Sequence, residues 1–305
     1  MRWDEMRESQ NVEDRRAEGG GGGGFGGGGV RLGLGGIAVV VVVGLLFGKS
    51  PMEMLALVSN LQNGAPTQQH APAHRATPPV GSSDNDQTAV KVKKVLGDTE
   101  DTWKQIFAAS GRSYQPPRLV LFRGGVNSGC GFTGSEVGPF YCPSDQKVYL
   151  DLGFFDELKQ RFGAPGEFAQ AYVVAHEVGH HVQNLLGISD KVHQRMQQLN
   201  PTGRNALSVR LELQADCFAG VWGHEAAQRN IITGAEMQQA LVAANAIGDD
   251  TLQRNAGRSV APDSFTHGSS AQRQHWFQVG FDSGSVDACN TFVRSRPATG
   301  PAAAR

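Results

Sequence analysis

The sequence carries almost no net charge: 28 lysines and arginines stand against 29 aspartates and glutamates, a formal −1. Proteins that grip nucleic acid along a broad face carry a marked basic excess, so this balance argues against that class. Cysteine is scarce, with residues only at Cys130, Cys142, Cys217 and Cys289, and no two of them form a Cys-x-x-Cys pair. A cysteine-built zinc site and a thioredoxin-like redox motif are therefore not expected. Apolar residues are also few for a globular chain, at 39%, while glycine occupies 40 positions. The glycine excess is partly local, with 16 of the 40 in residues 1–76, and the remainder is closer to an ordinary globular composition.

Residues 1–31 are polar and then glycine-rich, with Gly19 to Gly29 broken only by Phe25. Such a stretch buries too little apolar surface to offset its chain entropy, and disorder is expected. Leu32 to Phe47 is almost wholly apolar, about 16 residues against the roughly 20 that a bilayer-spanning helix needs. A signal-peptide core and a buried strand compete for this segment. Its distance from Met1 and the lack of a nearby A-x-A site count against cleavage, and the flanks count against a strand. The reading adopted is an uncleaved transmembrane signal anchor over 32–48. Arg2, Arg7, Arg15, Arg16 and Arg31 precede it and only Lys49 follows closely. Residues 1–31 are thus expected in the cytoplasm and the catalytic part outside, on the periplasmic or extracellular side.

Residues 49–87, with Ala65-Pro66, Ala71-Pro72-Ala73 and Pro78-Pro79, read as an extended linker. The globular domain is expected over 88–296 and a disordered tail over 297–305. An extracytoplasmic domain permits disulfides, and the candidate pairs are Cys130 with Cys142 and Cys217 with Cys289; four buried free thiols are the alternative.

Within the domain, Val90 to Ala109 has helical periodicity, with Val92, Val95, Thr99, Trp103 and Ile106 near one face. Leu119 to Phe122 reads as a strand after Pro116-Pro117, Gly124 to Gly138 as a loop enclosing a hairpin, and Lys147 to Leu152 as a half-buried strand. Helices are expected over about 154–162, 167–187, 204–229, 234–247 and 271–283. Few strands followed by a run of helices give an α+β fold, mainly helical with a small sheet.

His176-Glu177-Val178-Gly179-His180 lies inside one predicted helix, where residues four apart share a face. Two imidazoles so placed can converge on one Zn2+. Glu177 is turned by about 100° from His176, which suits a base acting on water beside the metal rather than a ligand. Val174, Val178 and Val182 give the helix an apolar side, Ala175 and Gly179 let other elements approach, and Gly187 is a natural stop. His181 points about 140° away and is read as structural.

A hydrolytic zinc site needs a third protein ligand and an open position. Glu212 and Asp216, one turn apart on a second helix, can supply a carboxylate ligand and an acceptor for the far nitrogen of a ligating histidine. A solvated helix face is the alternative for that pair. His193 and His224 are rival ligands, but His193 has the wrong spacing from His180 and His224 lies three turns beyond Glu212. Phe265-Thr266-His267-Gly268-Ser269-Ser270 precedes a helix bearing Gln272 and Arg273. His267 can donate to a developing oxyanion, and the serines also read as helix caps.

Taken together, these residues resemble the YpfJ-type family of neutral zinc metallopeptidases over nearly the whole chain. The resemblance rests on Met1-Arg2-Trp3, Glu8 to Arg16, Ser128-Gly129-Cys130-Gly131, Gly138 to Pro143, the H-E-x-x-H helix, Glu212 to Asp216 and His267 to Ser270. The layout is similar to that of gluzincins, including the HtpX and CAAX prenyl protease group, and so implies a zincin-like fold. The resemblance further implies Glu212 as third ligand, Asp216 behind a ligating histidine and His267 assisting the transition state. The expectation is a membrane-anchored zinc endopeptidase acting on a peptide or protein, with Glu177 as general base and no nucleic-acid partner. Val148 to Leu150 reads either as an edge strand that pairs with substrate or as an internal member of the sheet. A non-enzymatic envelope protein with a structural zinc or a binding role is the rival class, and hydrolysis of a non-peptide amide a second enzymatic reading.

Overall fold

The computed structural model describes residues 1–18, 87–134, 137–161 and 167–292. The expected anchor over 32–48, nearly all of the linker and the tail over 297–305 lie outside the described residues. Among the described residues, no helix is long and apolar enough to cross a membrane.

The architecture is α+β, mainly helical, with a sheet in the order β1 (Val12–Asp14), β2 (Arg118–Phe122), β6 (Lys147–Asp151), β5 (Phe140–Cys142). β1 and β6 both run parallel to β2, and β5 runs antiparallel to β6. Leu119-Val120-Leu121-Phe122 is buried throughout, the continuous apolar run expected of a parallel strand covered on both faces. β6 is buried in the same way rather than alternating, because Tyr149 stacks on Phe140 at 4.8 Å and sends its hydroxyl to Asp145 at 2.7 Å. A separate hairpin of β3 (Gly125–Ser128) and β4 (Gly131–Gly134) fills part of the predicted Gly-rich loop.

One alternative is settled and one expectation corrected here. Val148 to Leu150 is not at an edge: β2 lies on one side of it and β5 on the other. The turn after Cys142 lays β5 alongside β6, so the edge on that side of the sheet is β5 and the opposite edge is β1.

The correction concerns residues 1–18, which are ordered. Val12 to Asp14 pairs with Leu119 to Leu121, and Met6, Ser9 and Arg16 are buried. Glu100, on helix α1 (Gln87–Ala109), is held by this segment: it accepts from Ser9 Oγ at 2.5 Å, Asn11 Nδ2 at 2.9 Å and Arg7 at 2.8 Å. Gly97 makes room for the segment, since a Cβ there would sit 2.5 Å from the Arg7 carbonyl oxygen. Polar composition concealed this order because the segment docks through hydrogen bonds and charge pairs rather than an apolar face. Strands of one sheet lie on one side of any membrane. Residues 1–18 and the domain therefore belong to one folded body.

The remaining helices are α2 (Gly153–Arg161), α3 (Glu167–Leu185), α4 (Ile188–Met196), α5 (Pro201–Gln228), α6 (Gly234–Ala246), α7 (Asp249–Asn255) and α8 (Ser270–Ser283). α4 and α7 were not expected. α3 is buried on nearly every side and packs against α1, α5 and α6. Trp103, Phe168, Phe218 and Trp222 fill the space between these helices, and side chains of this size stabilise by roughly 1.5–3 kcal/mol each on burial. The backbones of α5 and α8 touch at a glycine pair: a Cβ on Gly220 would lie 2.1 Å from the Phe277 carbonyl, and one on Gly280 1.9 Å from that of Cys217. Both expected disulfides are present, Cys130–Cys142 beside β5 and Cys217–Cys289 joining α5 to the C-terminal segment.

Candidate metal centre

His176 and His180 sit one turn apart on α3, their ring centroids 4.8 Å apart and their planes nearly perpendicular. Gly179, between them, lets α5 approach so closely that a Cβ would meet the Ala215 carbonyl oxygen at 2.9 Å. That contact brings Glu212 over both rings. Its carboxylate oxygens lie 3.2 Å from His176 Nε2 and 3.4 Å from His180 Nε2. Bonds of about 2.0–2.1 Å to a tetrahedral zinc hold ligand atoms about 3.3–3.4 Å apart, so the carboxylate–imidazole spacing fits a shared ion. The three donor atoms all lie within 4.8 Å of one another.

The far nitrogens of both rings have partners. His176 Nδ1 lies 2.8 Å from Asp216 Oδ1, and His180 Nδ1 lies 2.9 Å from Gln183 Oε1. Asp216, fully buried, also accepts from Tyr172 Oη at 2.5 Å and from Arg273, whose Nε and second guanidinium nitrogen reach its two oxygens at 2.8 and 2.9 Å. With both imidazoles neutral, Glu177, Glu212 and Asp216 face the single guanidinium of Arg273, leaving two negative charges that a divalent cation balances. The titration behaviour reflects the same imbalance. Burial opposes a charge on His176, yet Asp216 and Glu212 outweigh it and push its pKa up to about 10. Burial likewise opposes ionisation of Asp216, but Arg273 and His176 hold its pKa down to about 2. Burial raises the Glu177 carboxyl above the ordinary range, against the pull of the two histidines.

His176, Glu177, His180 and Glu212 line a pocket of about 720 Å³. Val137, Phe140, Phe154, Met196 and Leu252 give it apolar walls, and His267 projects into it from the loop before α8. Asp249 at the start of α7 organises that loop: one oxygen accepts from the backbone N–H groups of Thr266, His267 and Gly268 at 2.7–2.9 Å. Its other oxygen lies 3.2 Å from His267 Nδ1. Burial lowers the His267 pKa, but Asp249 and Glu212 together leave it raised. Ser269 caps α8 through a reciprocal pair with Gln272, so the structural reading of the loop serines holds beside the placement of His267.

His176, Glu177, His180, Glu212, Asp216 and His267 are thus brought together. His181 is not among them: it is buried between the Gln115 carbonyl, at 2.6 Å, and Tyr141 Oη, at 3.1 Å. His193 only lines the pocket, and His224 bonds to the Phe281 carbonyl at 2.7 Å. Sequence reasoning missed Tyr172, Gln183 and Asp249 and gave Arg273 no role. Tyr172 stands four residues before His176 and Gln183 three after His180, so helical spacing carried a signal for both. Asp249 and Arg273 reach the centre from other elements, and spacing carried none.

A family model described as "Putative neutral zinc metallopeptidase" matches residues 1–292. The chain is 49% identical over 296 residues to the "Uncharacterized protein YpfJ" of Escherichia coli K12, covering 97% of this chain and all of that protein. It is 42% identical over 223 residues to the "Uncharacterized protein Mb2605" of Mycobacterium bovis, covering 70% of this chain and 73% of the other. No solved structure matches. The match to the model, over almost the full length and through every element around the centre, places the chain in the neutral zinc metallopeptidase family.

Proposed function

We propose that the chain is a zinc-dependent endopeptidase that hydrolyses peptide bonds with Glu177 as general base. The observation that carries the proposal is a buried glutamate beside a two-histidine, one-carboxylate group that could hold a metal, in an open pocket. Zn2+ held by His176, His180 and Glu212 supplies a Lewis acid that polarises a carbonyl and eases ionisation of water. Glu177 takes the proton from the attacking water and passes it to the leaving amine. His267, fixed by Asp249, donates to the carbonyl oxygen as negative charge develops there. Asp216 holds His176 with its second nitrogen toward Glu212. β5, the sheet edge that also lines the pocket, offers its free backbone groups to an extended peptide or protein substrate, in place of the interior Val148 to Leu150.

Glu177→Gln keeps the shape and the ligands and removes the base. Zinc content is expected to stay at the wild-type level while cleavage of a mixed peptide pool falls by about 10²–10⁴. Undiminished cleavage in that variant would remove Glu177 from the mechanism. Zinc without cleavage in the wild type would favour a structural metal.

We also place the folded body, residues 1–18 included, outside the cytoplasm, which its two disulfides support. Single cysteines at the exposed positions Glu8 and Lys104 should react alike with a membrane-impermeant thiol reagent on whole cells. Labelling of only one would contradict the shared sheet, and protection of both would contradict the location.

A further inference from the structure

We infer that Gln183 and Gln214 are positioning residues for His180, anchored by the Cys217–Cys289 disulfide, so that metal retention depends on that disulfide. The inference rests on His176, His180 and Glu212 being metal ligands and does not depend on which reaction they support.

Gln183 is fully buried one turn beyond His180. An amide can be turned either way, and only its surroundings decide which end is oxygen. Here backbone groups decide it. The Gln183 nitrogen lies 2.7 Å from the carbonyl oxygen of Leu211, which can only accept. Its oxygen therefore faces His180 Nδ1 at 2.9 Å, and Nδ1 must carry the hydrogen. The lone pair is left on Nε2, the nitrogen that faces Glu212 at 3.4 Å. In this way a hydrogen bond on one ring nitrogen selects the other for the metal.

The second hydrogen of the Gln183 amide goes to Gln214 Oε1 at 3.1 Å, and the Gln214 nitrogen donates to the Cys289 carbonyl at 2.9 Å. Both ends of the relay are thus backbone carbonyls, and turning either amide would set acceptor against acceptor there. Leu211 immediately precedes Glu212, so the residue that fixes Gln183 belongs to the same turn as the carboxylate ligand. Cys289 is held on α5 by its bond to Cys217, one turn after Gln214, and both cysteines are fully buried. Reduction to two thiols, with a dithiol reductant supplying the electrons and protons, leaves the terminal carbonyl without that tether. The segment is then still held to α5 by Thr291 Oγ1 donating to the Arg210 carbonyl at 2.7 Å and by Arg210 donating to the Phe292 carbonyl at 2.9 Å. The Gln214 acceptor is nonetheless placed less firmly, and the orientation of Gln183 loosens.

The test uses the full chain with zinc as the probe and a chromophoric chelator as competitor, without substrate. Gln183→Met should bind zinc about 10–100-fold more weakly than wild type. Gln214→Met and the pair Cys217→Ala with Cys289→Ala should weaken it by less, and Gln214→Met should add nothing in the Gln183→Met background. Nitrogen-15 NMR of the zinc-free chain at mildly alkaline pH should show His180 protonated at Nδ1 in wild type and mixed between tautomers in Gln183→Met, a change that mere loss of packing does not produce. Wild-type zinc affinity or an unchanged tautomer in folded Gln183→Met would overturn the inference. If that variant does not fold, wild-type affinity in Gln214→Met overturns it. A wild-type chain that binds no zinc overturns the metal reading with it, whereas normal binding with indifferent variants overturns the relay alone.

Discussion

The two histidines of the centre are held by opposite physical means. His176 leans on a charge: a buried aspartate, itself gripped by the two-pronged guanidinium of Arg273 and the hydroxyl of Tyr172. His180 leans on neutral groups, two amides in series closed at each end by a backbone carbonyl. Both arrangements place a hydrogen on Nδ1 and leave Nε2 toward Glu212. They differ in what happens when one member is lost. Removing half of a buried ion pair strands a charge, whereas breaking an amide chain strands a single donor or acceptor. The charged side also draws on elements distant in sequence, while the neutral side draws on α3, on one turn of α5 and on the disulfide that ties the chain end to it.

The largest effect is expected from Asp216→Ala, which leaves Arg273 buried without its partner. Denaturant unfolding of the zinc-free chain should show a loss of roughly 3–5 kcal/mol. Gln183→Met, on the neutral side, should cost about 1–3 kcal/mol by the same measurement. Equal losses would erase the distinction between the two sides. A subtler contrast lies in pH dependence. His176 in the metal-free chain has its pKa raised to about 10, so its contribution is complete below the ordinary imidazole value and disappears as pH rises toward about 10. Stability of the zinc-free wild type should therefore decline through that window, and Asp216→Asn should flatten the decline. Gln183→Met should leave its slope in place. A slope that vanishes in Gln183→Met and persists in Asp216→Asn would reverse the assignment.

Much of the ligand set was legible from spacing alone. His176, Glu177 and His180 sit on a helix whose apolar valines predict its burial, and the lack of a side chain at Gly179 marks the point of close approach that Ala215 occupies. The long helices appeared within a few residues of their expected ends, because strong periodicity fixes their existence better than their boundaries. Order in residues 1–18 was not legible. Ser9, Asn11 and Arg7 reveal nothing until Glu100 is seen beneath them, nearly ninety or more positions away. Strand β5 was hidden for another reason, since three residues are too few to show a period and only pairing with β6 defines them. The supports behind the ligands divide in the same way: Tyr172 and Gln183 follow helical spacing, while Arg273, Asp249 and Gln214 acquire meaning only when helices cross.

The central claim is that His176, His180 and Glu212 share one zinc ion. Anomalous diffraction at the zinc absorption edge, from crystals of the purified full chain, tests it directly. The account predicts one strong peak bonded to Nε2 of both histidines and to the Glu212 carboxylate at about 2.0–2.2 Å. A peak bonded to other residues, or none from crystals grown with excess zinc, would contradict it.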